Sequence, residues 1–393
     1  MAAEERVPER DPAERFQQNE DLLARVAVTD LNHFYRYVNW TRMDGPPEGF
    51  FTKYKPKLSN AIHGKVHRAD WHSPNGTVGV ALKTMPIDRV LLNEEAERND
   101  ALVHRGHGRE RFREDAMTEI GVYFFLNQQP DARYQLRMMA CFADDTHVFL
   151  ATQHATGGDL FNFTTAEAEA GHNVDQVRRY MSQLLQAVHY LHSQDIGHRD
   201  ISLENILLMG KDQTAELRLM DFGQAVALRS GGEDLRYFTP CGKPIYTAPE
   251  MRVPPQAQVE VQVERNHVAG DINQVVTTRG YFCHVLLPRH ATPGERCQAT
   301  TAGYTVRPSD IFACGICLFV LAWGRAPWQD TLLTDRGFIY VGRHGYANLV
   351  RAWRLEQLPE PGMKLLQQLG NFMAESRPVA EECLRSEFFD GHR

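Results

Sequence analysis

A chain of 393 residues is longer than one small core requires, since a single hydrophobic core stops growing near ~250–300 residues. With 42% hydrophobic and 24% charged residues it has the composition of a folded globular protein, which excludes a mostly disordered chain. Its 43 basic and 50 acidic side chains leave a formal charge of −7, which speaks against a nucleic-acid surface or a polybasic membrane patch.

The opening stretch MAAEERVPERDPAERF has no apolar signal core and no myristoylation glycine, so no secretory leader is expected. Residues 1–48 are charged, contain no strand-like run and end in the breaker MDGPPEG; they are expected to form a flexible or partly helical extension. From about Phe50 the pattern changes to short apolar runs, GKVHRADW, TVGVALKTM and later THVFLATQ, which predict a small, mostly antiparallel sheet. Between them REDAMTEIGVYFFLNQQ has helical character, with Val122, Tyr123 and Leu126 on one side. Pro86 to about Arg113 is polar and longer than a simple connection needs, as a surface excursion would be.

After ATGGDLF the chain turns helical. Val177, Met181, Leu184, Val188 and Leu191 recur at spacings of four and three, the stripe of a helix lying on a core, and that helix delivers the chain to His198. The stretch VEVQVE alternates Val259, Val261 and Val263, and YFCHVLL is a second strand-like run; together they predict a hairpin. Nearby Cys283, His284, His290 and Cys297 match no strong zinc template and read as loop thiols and histidines. Helices are expected from Asp310 to Trp323 and from Gly362 to Met373. The apolar run from Ile311 to Trp323 falls short of the ~20 residues that span a bilayer and reads as a buried helix, with Cys314 and Cys317 as core residues. Seven scattered cysteines, an odd number, suggest reduced thiols and a cytosolic protein, or a nuclear one by diffusion.

Four segments carry chemistry: VALK (Val80 to Lys83), HRDISLEN (His198 to Asn205), MDFGQA (Met220 to Ala225) and CGKPIYTAPE (Cys241 to Glu250). In this order and spacing they make the sequence resemble the eukaryotic protein kinase family from about residue 50 to 390. The resemblance implies an α+β, two-lobed fold: an N-lobe of about 49–154, with a small antiparallel sheet and one main helix, and a mostly helical C-lobe of about 155–390 carrying an insert at about 251–303. It implies transfer of the γ-phosphate of ATP, with Mg2+, to serine or threonine hydroxyls of protein substrates.

By the same resemblance Lys83 would hold the α- and β-phosphates if a carboxylate fixes its ammonium. Glu119 and Glu114 both lie on the helix that supplies it, and the apolar company of Val122, Tyr123 and Leu126 favours Glu119. Asp200 would accept or orient the substrate proton, while Asn205 and Asp221 would hold Mg2+. Thr152 falls at the gatekeeper position. Gln153 and Ala155 would offer backbone groups to adenine, Asp159 a carboxylate to ribose, and Val66, Ala81 and Leu207 an apolar sandwich for the ring. Glu250 has Arg377 as its candidate partner. Thr239 matches an activation-loop phosphosite, to be filled by an activating kinase or by autophosphorylation, with Arg199 to receive the phosphate; an unmodified loop threonine is the plain alternative.

The chain departs from the family pattern in two places. In SNAIHGKV the glycine-rich loop keeps Gly64 but has Ser59 and Ala61 where glycines are usual, which loosens the expected grip on phosphates. Two residues after Asp200 the usual lysine is Ser202, and the threonine expected after CG is Lys243. The pair reads as an exchange in which Lys243 reaches back to Asp200 and the γ-phosphate; the alternative has Lys243 pointing to solvent. HRDISLEN and CGKPIYTAPE lack the signatures of tyrosine kinases, and Val320 stands where many basophilic kinases carry Glu. A pseudokinase scaffold, binding partners without catalysis, is the rival reading.

Overall fold

The computed structural model describes residues 12–26, 33–43, 47–91, 114–167 and 173–390, apart from positions 213, 255, 273 and 279. Pro12–Val26 forms helix α1. The three expected apolar runs lie in one six-stranded antiparallel sheet made of β1 (Phe50–Lys53), β2 (Ser59–Ala61), β3 (Gly64–Ser73), β4 (Gly76–Pro86), β5 (Met138–Ala143) and β6 (His147–Gln153). Its order is β1-β3-β4-β6-β5, with β2 pairing on β3. Register follows from alternation: Val80 and Leu82 of β4 point into a small core with Ala69, Phe142 and Ala151, and the residues between them face the other side. Lys83 therefore emerges on the face opposite Val80 and Leu82.

That opposite face is covered by α2 (Ala116–Leu126). Asp115 caps it, its side chain accepting from Met117 N at 3.3 Å and Thr118 Oγ1 at 2.6 Å. Of the excursion expected between Pro86 and Arg113, Ile87–Val90 is a single helical turn and 92–113 lies outside the described residues.

The larger half follows a short helix α3 (Leu160–Glu167) with α4 (Val174–Ser193), capped by Asn173, whose Oδ1 accepts from Asp175 N at 2.9 Å. Val177, Met181, Leu184, Val188 and Leu191 are all buried, as their spacing predicts, and burial of such side chains is worth ~1.5–3 kcal/mol each. Two short strands, β7 (Ile206–Leu208) and β8 (Leu217–Leu219), pair beyond it. They bracket the path from the catalytic-loop motif to Asp221.

The insert is a sheet rather than the expected hairpin. Its strands β9 (Gln258–Gln262), β10 (Val275–Thr278), β11 (Tyr281–Leu286) and β12 (Arg296–Thr301) take the order β9-β12-β11-β10. The two runs legible by alternation are not neighbours, because β12 lies between them. Val259, Val261, Cys283 and Val285 meet in a small core of their own beneath it. No cluster suited to a metal occurs among the described residues: Cys283 faces that core while His284, on the other face, meets Glu375 at 2.6 Å.

Helix α5 (Val306–Trp323) starts one turn earlier than expected and runs through the core, where Cys314 and Cys317 are fully buried. By length and apolarity alone it would cross a membrane, but it is wrapped by protein along most of its length. After α6 (Arg336–His344) and α7 (Tyr346–Ala352), α8 (Glu360–Leu369) packs on it. The helix expected to reach Met373 stops at Leu369 because the Asn371 side chain accepts Met373 N at 2.9 Å in a local turn.

The N-terminal extension, expected to be flexible or partly helical, packs against the body of the protein. Leu23 of α1 joins Ile272, Leu286 and Ala302 in a core, and Phe34 and Met43 are buried in the main one.

Candidate active site

Strand β4 projects Lys83 toward α2, where its Nζ donates to Glu119 Oε2 at 2.6 Å. Burial works against the ammonium, but the Glu119 and Asp221 carboxylates outweigh it and raise the lysine above its ordinary value, so it stays charged. Glu119 is the partner and Glu114 is not. Glu114 sits just before the helix; burial and the Asp221 charge push its carboxyl up to about 7.

The catalytic loop is held from below by Asp310 at the first turns of α5. Its Oδ2 accepts His198 N at 2.9 Å and its Oδ1 accepts Arg199 N at 2.9 Å, while His192 Nε2 lies 3.0 Å from Oδ2. These bonds fix a backbone that would otherwise be strained, since Arg199 has φ 65°. Asp221 has φ 68°; with Arg199 it is one of four described non-glycine residues in the left-handed region, the others being Asp195 and Arg354. Arg199 and Asp221 stand at the chemistry, where such strain collects.

Asn205 Nδ2 donates to Asp200 Oδ2 at 2.9 Å and to the Asp200 carbonyl at 2.8 Å. The other carboxylate oxygen, Asp200 Oδ1, is buried and has no hydrogen-bond partner among the described residues. Burial raises the Asp200 carboxyl, and the Lys243 ammonium opposes the rise. A carboxylate with one oxygen fixed and the other open is arranged to take a proton.

Lys243 reaches the catalytic loop. Its Nζ donates to Ser202 Oγ at 2.6 Å and to Asn205 Oδ1 at 3.3 Å, which leaves one of its three donors without a protein partner among the described residues. The approach depends on Gly242, with φ +81°, where a Cβ would stand 2.9 Å from the Arg199 carbonyl. Lys243 thus bonds two neighbours of Asp200 in the catalytic loop and acts on Asp200 through its charge.

A protein kinase domain model matches residues 103–264, the stretch that contains Glu119, Asp200, Asn205 and Asp221. The chain is 25% identical over 344 residues to the phosphorylase b kinase gamma catalytic chain, liver/testis isoform, of Mus musculus, covering 87% of this chain and 67% of that one. It is 28% identical over 200 residues to CBL-interacting protein kinase 11 of Oryza sativa subsp. japonica, 51% of this chain and 30% of that one. The CBL-interacting serine/threonine-protein kinase 3 of Arabidopsis thaliana matches at 28% over 200 residues, 34% of its length. The chain carries a protein kinase domain. It spans between about a third and two-thirds of the length of these curated relatives.

Phe222 lies fully buried under α2, edge-on to Tyr123 with ring centroids 5.2 Å apart and 5.4 Å from the His198 ring. The next residue, Gly223, accepts Asp115 N at 2.8 Å, which ties the Asp221 segment to the cap of α2. Glu250 pairs with Arg377 through Nη1–Oε1 at 2.5 Å and Nη2–Oε2 at 2.9 Å, both groups buried. Burial pushes the Glu250 carboxyl up, but the guanidinium outweighs it and holds it below the ordinary range.

Arg199 meets neutral groups. Its Nε donates to the Gln224 carbonyl at 2.7 Å and its Nη1 to Tyr304 Oη at 3.4 Å, with the Tyr237 ring 5.1 Å away. Tyr304 Oη donates onward to the Thr239 carbonyl at 2.9 Å, and Tyr237 and Tyr304 exchange backbone hydrogen bonds. Tyr304, just after the insert, thus bonds Arg199, the residue expected to receive the phosphate. Sequence reading missed Tyr304; only its position just before the α5 residues offered a signal.

The residues expected to hold nucleotide lie across the sheet and the β7 strand. Val66 pairs with Lys83 and Ala81 with Thr152, so the apolar pair lies beside the lysine and the gatekeeper. Gln153 ends β6, its backbone N–H donating to the Arg137 carbonyl at 3.0 Å and its carbonyl accepting from Thr152 Oγ1 at 3.5 Å; Ala155 lies two residues further on. Leu207 bridges to Asp159. Both oxygens of Asp159 are engaged by Asn162, at 2.8 Å from its N–H and 2.7 Å from its side chain, so this carboxylate caps α3 as well as standing where ribose is expected. Ser59–Ala61 and Gly64 form a hairpin whose tip residue His63 is buried, its Nε2 2.9 Å from the Glu114 carbonyl. The loop that lacks glycines is pinned at its tip instead.

Asp221 and Asn205 present hard oxygen donors, a carboxylate and an amide, and Asp200 Oδ1 is an unpartnered buried oxygen beside them. This donor set suits Mg2+.

Proposed function

We propose that the chain is an ATP-dependent serine/threonine protein kinase. The observation that carries the reading is the buried Lys83–Glu119 pair at 2.6 Å on one side of the site, facing Asp200 with its open oxygen on the other. Phosphoryl transfer needs positioning and charge neutralisation more than covalent help. Lys83 would hold the α- and β-phosphates, and Asn205 and Asp221 would hold Mg2+, which when bound neutralises charge on the phosphates. Asp200 would orient the acceptor hydroxyl and take its proton, while the unused donor of Lys243 would neutralise charge developing on the γ-phosphate.

Thr239 is exposed to a second kinase or to the chain itself, but Tyr304 orders the segment without a phosphate, so in this reading modification tunes activity rather than enabling it. A cytosolic location, or a nuclear one by diffusion, is supported by seven free thiols, six of them buried. Charge offers nothing toward nucleic acid or membrane.

The test is incubation with γ-labelled Mg·ATP and a serine- or threonine-bearing acceptor protein. Label incorporation that disappears in Asp221→Ala supports the enzyme. Thermal stabilisation by ATP with no transfer at any protein concentration would support the scaffold reading instead.

A further inference from the structure

The turn at Tyr35–Tyr37 packs on α2, the helix that carries Glu119, and the turn that follows it, Trp40–Met43, packs on β5. Nine of the eleven residues of α2 are buried, including those on the side away from the sheet, so something must cover that side. The cover fits a site made for it. At Gly121 an added Cβ would overlap the Phe34 carbonyl, so only glycine lets the two backbones meet there. Phe34 is 2% exposed and Met43 fully buried, and the Tyr37 ring meets Phe125 with centroids 4.9 Å apart.

The polar contact of this segment falls at a junction. Tyr35 Oη donates to Asp115 Oδ2 at 2.6 Å. Asp115 also caps α2 and, through its own N–H, bonds Gly223 of the Asp221 segment at 2.8 Å. Glu119 N donates to the Asp115 carbonyl, so Glu119 stands one helical turn beyond this junction. The rotation of α2 about its axis, which decides whether Glu119 faces Lys83, is therefore gripped at Asp115 and at Gly121. The extension is anchored at its far end on the insert. Asn19 Nδ2 donates to the Gly270 carbonyl, the Arg289 guanidinium lies 4.8 Å over the Phe16 ring, and Leu23 packs on Leu286.

We propose that the N-terminal extension is a built-in activator: Phe34 and Tyr35 are positioning residues that hold α2 in the orientation pairing Glu119 with Lys83, with α1 as the anchor on the insert. The proposal rests on the kinase reading above. It differs from mere cover for an apolar helix in one respect, that its effect on catalysis must pass through Glu119.

The test is a double-mutant cycle in the full chain. Phe34→Ala and, independently, Tyr35→Phe are made in the wild type and in Glu119→Gln, with kcat, KM for ATP and Tm measured for all. In the wild-type background Phe34→Ala is expected to lower kcat by about tenfold to a hundredfold, as misplacing a catalytic group does. In the Glu119→Gln background the same change should lower kcat less than about twofold, while the Tm shift stays the same in both. Equal losses of kcat in both backgrounds, or a folded Phe34→Ala chain with normal kcat, overturn the proposal. Tyr35→Phe keeps the packing and serves if Phe34→Ala does not fold. Amide exchange over residues 116–126 separates the two readings: faster exchange in the variants of a chain that transfers no phosphate would fail the enzyme and keep the strap, and unchanged exchange would fail the strap alone.

Discussion

Lys243 donates to Ser202 at 2.6 Å, so a residue of the activation segment places its ammonium beside the catalytic loop where kinases of this family usually carry a lysine in the loop itself. Lys243→Met should lower kcat by about a hundredfold to a thousandfold, the usual loss when a preorganised charge at a developing oxyanion is removed. Ser202→Ala removes one hydrogen bond and should cost about tenfold or less. The double exchange Ser202→Lys with Lys243→Thr should recover part of the loss seen in Lys243→Met. Single-turnover rates for the set decide it; equal and small effects of the two single changes would end the exchange reading.

Tyr304 gives a second prediction. Its hydroxyl bridges Arg199 and the Thr239 carbonyl, so Tyr304→Phe should lower kcat by roughly fivefold, the worth of about one net hydrogen bond. Thr239→Ala leaves those contacts in place, because only the carbonyl of residue 239 is used, and should change kcat less than about twofold. The reverse order of effects, measured on protein whose mass shows a phosphate that Thr239→Ala removes, would return the ordering role to a phosphate.

Arg377→Met should destabilise the chain by about 3–5 kcal/mol by leaving Glu250 buried without its partner. The pH dependence should change sign with it. In the wild type the folded Glu250 carboxyl lies below its ordinary 4.5, so its contribution is present above that value and is lost as pH falls through the folded pKa. Without Arg377, burial is opposed only by a backbone hydrogen bond and the His284 charge and should raise the carboxyl, so its contribution should shrink as pH rises above 4.5. Denaturant midpoints of the two proteins at about pH 4 and about pH 7 check this.

Asp310→Asn should lower kcat with little change in KM for ATP. The amide keeps the shape but can accept from only one of His198 N and Arg199 N, and it turns a donor toward the other. The loss of one charge-assisted hydrogen bond is worth ~1.5–3 kcal/mol. Its effect should show as slower transfer and faster amide exchange through the Arg199 loop; a normal kcat would mean that the loop holds its φ 65° turn without Asp310.

Much of the site was legible because its residues lie in short motifs with local rules. Lys83, Asp200, Asn205 and Asp221 stand in motifs that resemble those of protein kinases, and Glu119 was favoured by its apolar helical company. The Lys243–Ser202 contact was legible only as two departures that complement each other. By contrast, β9 and β11 read as strands yet not as non-neighbours, because alternation states which side faces a core and says nothing of which strand lies alongside. The placement of Tyr304 on Arg199 had no signal beyond its position just before α5, and that of Tyr35 on Asp115, 80 residues away, had none.

What the sequence by itself determined is the set of elements and the chemical inventory of the cleft, since periodicity, capping and motif spacing act over a few residues and their physical causes are local. What only the tertiary structure decided is who holds that inventory in place. The charged N-terminal stretch turned out to grip α2 at Gly121 and Asp115, and the position just after the insert supplied the tyrosine that orders the activation segment. Such contacts join residues distant in the chain, and their worth depends on burial and on close approach of backbones, which no local pattern of residues records.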